Sequence, residues 1–175
     1  MAELIAHPDS RPGPVRRVSA QARRTAEGGL ALTYSIEGDM ARVRLAAPST
    51  PRLGYKLWRH TCCEVFIATP AEARYHEFNF SPSGEWAAYA FSAYREGAVL
   101  EAPALNPQIA AMRSPERLEL SALVDLHKIG VKGKLAMGLS VVVEQEDGGL
   151  AYWALKHAPG RPDFHHRDAF ALELA

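Results

Sequence analysis

Residues 75–94 read Tyr75-His76-Glu77-Phe78-Asn79-Phe80-Ser81-Pro82-Ser83-Gly84-Glu85-Trp86-Ala87-Ala88-Tyr89-Ala90-Phe91-Ser92-Ala93-Tyr94. Two alternating runs joined by Ser-Pro-Ser-Gly form the pattern of a β-hairpin. If Phe80 faces Glu85 across the turn, Asn79 falls beside Trp86, Glu77 beside Ala88 and Tyr75 beside Ala90 on one face. Phe78, Phe80, Ala87, Tyr89 and Phe91 then occupy the other. One face is apolar. The opposite one carries a carboxylate, an amide and aromatic rings around small alanines, a mixture suited to holding a flat polar ligand. This sorting depends on pairing parity, because a one-residue slip moves every side chain of one strand to the other face.

Working outward, the same alternation recurs along the chain. Val15–Thr25 reads as an edge strand, and Leu30–Ile36 and Ala41–Leu45 follow across tight Gly-containing turns. The long loop Ala46–Arg59 leads to a strand at 60–68, in which Cys63, Val65 and Ile67 suit a core while His60, Cys62 and Glu64 point away. Glu64 is a mid-strand carboxylate that requires a partner or a ligand. Beyond the hairpin come a loop at 98–107, strands at 108–113 and 116–122, and a helical turn within 124–130. A strand at 135–144 has Leu135, Met137, Leu139, Val141 and Val143 on one side. Strands at 151–157 and 168–174 close the chain. About ten short strands with almost no helix predict an all-β, antiparallel β-sandwich of jelly-roll or immunoglobulin-like type, with a barrel as the lesser possibility. Residues 1–14, with a Pro-rich segment from Pro8 to Pro14, are expected to form a surface lead-in to a single domain spanning 15–175.

Composition narrows the function classes. The chain of 175 residues is 47% hydrophobic, enough for one core, and its 20 basic and 20 acidic residues leave a net charge of zero. Zero net charge gives no electrostatic footprint for nucleic acid or an anionic membrane surface, and neither partner is expected. The opening residues lack a basic start followed by an apolar core, so a cytoplasmic location is expected. Adjacent Cys62 and Cys63 would bridge each other only under strong strain and read as reduced thiols.

Several further stretches join the hairpin in one ordered pattern. These are Leu57-Trp58, Thr61–Ile67 with its central Glu64, Tyr94-Arg95-Glu96-Gly97, Trp153-Ala154-Leu155-Lys156-His157, and Pro162-Asp163-Phe164-His165-His166 running on to Leu174. With Asn79-Phe80-Ser81-Pro82-Ser83-Gly84-Glu85-Trp86 as its most specific part, the pattern resembles the DOMON-like bacterial proteins. That family is similar in turn to family 9 carbohydrate-binding modules. The resemblance implies a β-sandwich that recognises a sugar or, in some DOMON relatives, holds haem.

Sugars present C–H faces to aromatic planes and hydroxyls to polar groups. On this reading Trp58, Trp86 and Trp153 stack on the ligand, while His60, Glu64, Glu77, Asn79, Arg95, Lys156 and His157 orient it. A non-catalytic module for a carbohydrate or similar polyhydroxylated molecule is expected, without metal or cofactor. Each residue also has a purely structural role open to it: the tryptophans as core or rim aromatics, Glu64 paired with Arg95 or Lys156, Asn79 closing the turn. Haem ligation through Met112, Met137, His76 or His157 is one alternative. A glycoside-active enzyme using Glu64 and Glu77 is another, although no catalytic signature accompanies the two carboxylates. His165-His166 near Asp163 and Asp168 lacks a third clustered histidine and reads as a hydrogen-bonded loop.

Overall fold

The computed structural model describes residues 1–70 and 72–175. The described residues form an all-antiparallel β-sandwich of twelve strands with only short 3-10 helical turns between them. In chain order these are β1 Ala2–Ala6, β2 Val15–Arg24, β3 Gly29–Gly38, β4 Cys62–Ala68, β5 Tyr75–Phe80, β6 Trp86–Ala93, β7 Glu96–Val99, β8 Gln108–Arg113, β9 Arg117–Asp125, β10 Leu135–Glu144, β11 Leu150–Ala154 and β12 Leu172–Leu174. Neighbouring strands run in the order β7-β6-β5-β4-β10-β11-β1-β2-β3-β9-β8, with β12 added alongside β10. The ribbon doubles over at β1. One half, β7 to β11, faces the other, β2 to β8.

The doubling follows from period-two burial. Val18, Leu30, Leu32, Tyr34, Ile36, Leu118 and Leu120 from one half meet Cys63, Val65, Ile67, Phe78, Phe80, Met137, Leu139 and Val141 from the other in a single dry core. Tyr34 is fully buried, and its hydroxyl donates to the backbone oxygen of Glu64 at 2.8 Å. That bond satisfies the one polar atom of a core aromatic and holds β4 against the opposite sheet.

Three segments depart from the sequence-based expectation. Ala2–Ala6, placed in a surface lead-in, is the strand that joins the halves: Leu4 pairs with Val18 of β2, and Ile5 and Ala6 pair with Ala154 and Trp153 of β11. Leu4 is buried, the one apolar anchor in a segment too short to show a repeating pattern. Residues 41–45, expected as a strand, instead follow a 3-10 turn over Met40–Arg42, whose Ala41 N–H donates to the Asp39 carboxylate at 3.1 Å. An Asp cap offers the backbone a local partner that competes with a ladder. The closing strand is confined to Leu172–Leu174.

A second, smaller apolar cluster lies on the outer face of the β4–β10 half. Leu57, Cys62, Phe66, Tyr75, Ala87, Val142 and Ala154 are roofed there by Phe164 and Phe170 of the closing segment. That outer face is where the two non-core rows of the hairpin lie.

Candidate functional site

The hairpin turn sets which side chains reach the outer face. Ser81 N–H donates to the Glu85 carbonyl at 2.9 Å and Gly84 N–H to the Ser81 carbonyl at 3.0 Å, so Glu85 belongs to the turn. Gly84 sits at φ +96°, a conformation that side chains with a Cβ rarely adopt. The Ser83 hydroxyl donates to Ser81 Oγ at 2.9 Å and accepts the Glu85 N–H at 3.2 Å, which completes a five-residue connection. Phe80 therefore pairs with Trp86, Asn79 with Ala87, Glu77 with Tyr89 and Tyr75 with Phe91. The register differs by one residue from the sequence-based pairing. β5 keeps its expected faces and β6 exchanges them.

Trp86 consequently lies in the core at 2% exposure, while Tyr89 and Phe91 turn to the outer face. Trp153, paired with core residue Val141, packs on the inner side and lines a separate hollow with Pro12, Pro14 and Gln145. Its neighbour Tyr152 takes the outer position. Of the three tryptophans only Trp58, 42% exposed at the end of the 46–59 loop, borders the outer cleft.

That cleft has a volume of about 400 Å³. Its aromatic walls are Trp58, Phe66, Tyr89, Phe91, Tyr152 and Phe164, and its polar groups are Glu64, Glu77, Arg95 and His165. The floor is a cross-strand row: Ala154, Ser140, Glu64, Asn79 and Ala87 stand opposite one another on β11, β10, β4, β5 and β6. Small alanines at both ends leave the polar centre uncovered. Asn79 Nδ2 donates to Glu77 Oε1 at 3.0 Å and Cys62 Sγ to Glu64 Oε1 at 3.4 Å. Asn79 Oδ1, fully buried, makes no hydrogen bond among the described residues, and the Ser140 hydroxyl lies beside Glu64. Unpaired buried polar atoms are costly and mark a place where a further partner is accommodated.

One wall is an ordered polar network. Arg95 Nη2 donates to Asp163 Oδ1 at 2.8 Å, and the Tyr94 hydroxyl also donates to Asp163. Arg95 backbone N–H donates to Tyr75 OH at 3.0 Å, and that hydroxyl lies 2.9 Å from His165 Nδ1. In the tautomer where the Tyr75 hydroxyl donates to Nδ1, the imidazole hydrogen is on Nε2, 3.7 Å from Glu77 Oε2.

Burial controls the charge states. It pushes Glu64 well above the ordinary carboxylate range, and the neighbouring Glu77 pushes it further. Burial raises Glu77 too, with Asn79 and Arg95 working against the shift. His165 is driven down to about 4 by burial and by Arg95, against the pull of Asp163, and is neutral near pH 7. Burial raises Asp163 less than Tyr94 and Arg95 lower it, so it remains a carboxylate.

The remaining sequence-predicted residues lie elsewhere. His60 is bound to Glu144 at 2.7 Å at the rim. His157 Nε2 meets the Ile5 carbonyl at 2.8 Å and its ring meets His7 edge-on, and Lys156 is exposed. Glu64 pairs with neither Arg95 nor Lys156, since the Arg95 guanidinium is bound to Asp163. The candidate haem ligands do not assemble: Met112 is 67% exposed, Met137 is in the core, and His76 lines a different hollow with Arg74 and Ile129. Tyr89, Phe91, Tyr152, Phe164 and His165 were not singled out as binding residues from the sequence. Correct parity at the turn would have exposed the first two.

Comparison with solved structures places this architecture. A putative carbohydrate-binding protein from Bacteroides uniformis superposes with a TM-score of 0.70 at 18% identity, over 98% of this chain and 83% of that one. A family 9 carbohydrate-binding module from Caldicellulosiruptor kristjanssonii in complex with glucose superposes with a TM-score of 0.50 at 10% identity, over 94% and 81%. Its complex with cellotriose gives the same score and identity over 82% and 68%. The chain has the fold of the family 9 carbohydrate-binding modules. This family 9 fold is the part of the resemblance that the solved structures share, and at these identities the likeness concerns architecture alone. No family model matches the sequence, and no curated protein does.

Proposed function

We propose that this protein is a carbohydrate-binding module whose ligand occupies the outer cleft bordered by Trp58, Tyr89, Phe91, Tyr152 and Phe164. The observation that carries this reading is a cleft of about 400 Å³ with aromatic walls over a floor of buried polar groups, with Asn79 Oδ1 unpartnered among the described residues. Aromatic planes match the C–H faces of a pyranose, and Glu64, Glu77, Asn79, Arg95 and His165 match its hydroxyls. The likeness in fold to modules solved with glucose and cellotriose supports the same class of ligand. The site works by binding and orientation, with Tyr75 and Asp163 holding His165 and Arg95 in place.

Titration calorimetry against a panel of neutral, acidic and amino mono- and oligosaccharides tests the proposal. Binding that is lost in Tyr89→Ala, with the melting temperature little changed, is the expected result. A folded wild-type chain that binds nothing in such a panel overturns it.

A further inference from the structure

The hydrogen-bond inventory of the cleft floor is one-sided. Glu64 and Glu77 present carboxyl oxygens, and Asn79 Oδ1 is an unpaired acceptor at a residue with 0% exposure. The Ser140 hydroxyl, 2% exposed, stands on the other side of Glu64. Against these acceptors the floor offers few donors. Ser140 supplies one O–H beside Glu64, Cys62 one weak S–H, and the Asn79 amide one N–H beyond the one it gives Glu77, while the His165 Nε2–H lies 3.7 Å from Glu77, too far for a hydrogen bond.

Charge is unbalanced in the same sense. Arg95 is the one cation lining the cleft, and its guanidinium is bound to Asp163 at 2.8 Å. The other titratable groups facing the carboxyls carry no positive charge: Cys62 on β4, Tyr75 on β5, Tyr89 on β6, Tyr152 on β11, and the neutral His165. Lys56 and Arg59 of the rim loop point their charges at the exposed Tyr55 and Trp58 rings. Two carboxyl groups, 2% and 5% exposed, thus sit in an aromatic enclosure with no cation bound to either among the described residues, Arg95 acting on Glu77 only from a distance. Aromatic walls around a carboxyl floor form the surroundings in which an ammonium group is held.

We infer that the saccharide this cleft selects carries a free amine, with the ammonium on the Glu64 side of the floor and the sugar ring against the aromatic walls. The inference rests on the carbohydrate reading above and narrows it to amino sugars. An ammonium brings three donors and the positive charge that a buried carboxylate requires, whereas a hydroxyl brings no charge and leaves the carboxyls protonated. Burial holds a proton on the carboxyls in the free protein. When the ammonium binds, that proton leaves for solvent and the carboxylate pairs with the ligand.

Three β-1,4-linked disaccharides with the same backbone test this: the glucosamine disaccharide, its di-N-acetyl form, and cellobiose. Near neutral pH the glucosamine disaccharide should bind at least about tenfold tighter than either neutral sugar, the lower end of what a desolvated charge pair contributes. Calorimetry in buffers of different ionisation enthalpy should show proton release with the amine and none with cellobiose. Glu64→Gln should bring the amine-to-cellobiose ratio close to one, and Glu77→Gln is a second variant should the first fold poorly. Cellobiose or the acetylated sugar binding as tightly as the amine overturns the inference and leaves the carbohydrate reading standing. A preference for the amine that survives in both variants also overturns it. Binding of none of the three overturns the inference, and failure across the wider saccharide panel removes the parent reading as well.

Discussion

Replacing Glu64 by Gln should make this protein more stable above neutral pH and leave it nearly unchanged in mild acid. Glu64 is 2% exposed, and its hydrogen bonds from Cys62 at 3.4 Å and from Ser140 do not offset its burial. Burial and the adjacent Glu77 raise its proton affinity in the folded chain. Between the ordinary carboxylate range and that raised value the folded chain binds more protons than the unfolded one, so stability falls as pH rises through the window. Below the ordinary carboxylate range the group is protonated in both states and the stabilising contribution is fully present. Every tenfold gain in proton affinity on folding corresponds to about 1.4 kcal/mol. A Gln at this position carries no charge, and its carbonyl can still accept from Cys62. Its amide brings two donors to a row in which Asn79 Oδ1 lacks one among the described residues. The expected gain at about pH 8 is on the order of 1–3 kcal/mol, the cost of a buried polar group left short of partners. For a chain of this length that is a rise of roughly 2–4 °C in Tm for each kcal/mol. Urea melts of both chains from mild acid to mild alkali measure it, and because Glu77 is relieved of its charged neighbour in the variant, the difference reports the carboxyl pair. A variant less stable than wild type throughout, or a difference independent of pH, would refute the reasoning.

Trp86→Ala should cost about 3–5 kcal/mol by opening the core, whereas Tyr89→Ala, three residues along and on the cleft wall, should cost clearly less; chemical melts that reverse this order would show that the hairpin register is wrong. Leu4→Ala should cost about 2–5 kcal/mol despite lying in a short strand, because Leu4 is 1% exposed where the two halves join; a loss within ~0.5 kcal/mol would mean that β1 is dispensable. NMR titration should find His165 neutral until the pH falls to about 4, and an ordinary histidine midpoint would contradict the burial of its ring.

How far the molecule was legible in its residues is clearest at the hairpin. The Glu77/Asn79 against Phe78/Phe80 sorting of β5 is intrinsic to period two and emerges without any partner strand, as does the Cys63/Val65/Ile67 core row of β4. Facing on β6 could not emerge that way, because it depends on how many residues the turn consumes. Ser83 draws Glu85 out of the strand through side-chain bonds that compete with the ladder, and Trp86 follows it into the core. Trp153 and Tyr152 pose a similar ambiguity: either ring suits a core or a wall, and pairing with Val141 decides. Phe164 and His165 come to the cleft from a loop whose path no local pattern encodes. The acceptor-rich floor is a property of four strands brought together.

The joining strand also has a consequence for how the molecule is made. Ala6 pairs with Trp153, so the two halves cannot be sealed until Trp153 has left the ribosome. Until then Leu4 has only β2 for company, and Ile5 and Ala6 present an open ladder to any passing strand. Non-local pairing of this kind slows folding and lengthens that exposure. Arg16 and Arg17, on the end of β2 toward which Ile5 and Ala6 run, put like charge beside the waiting strand, a local guard against association during synthesis.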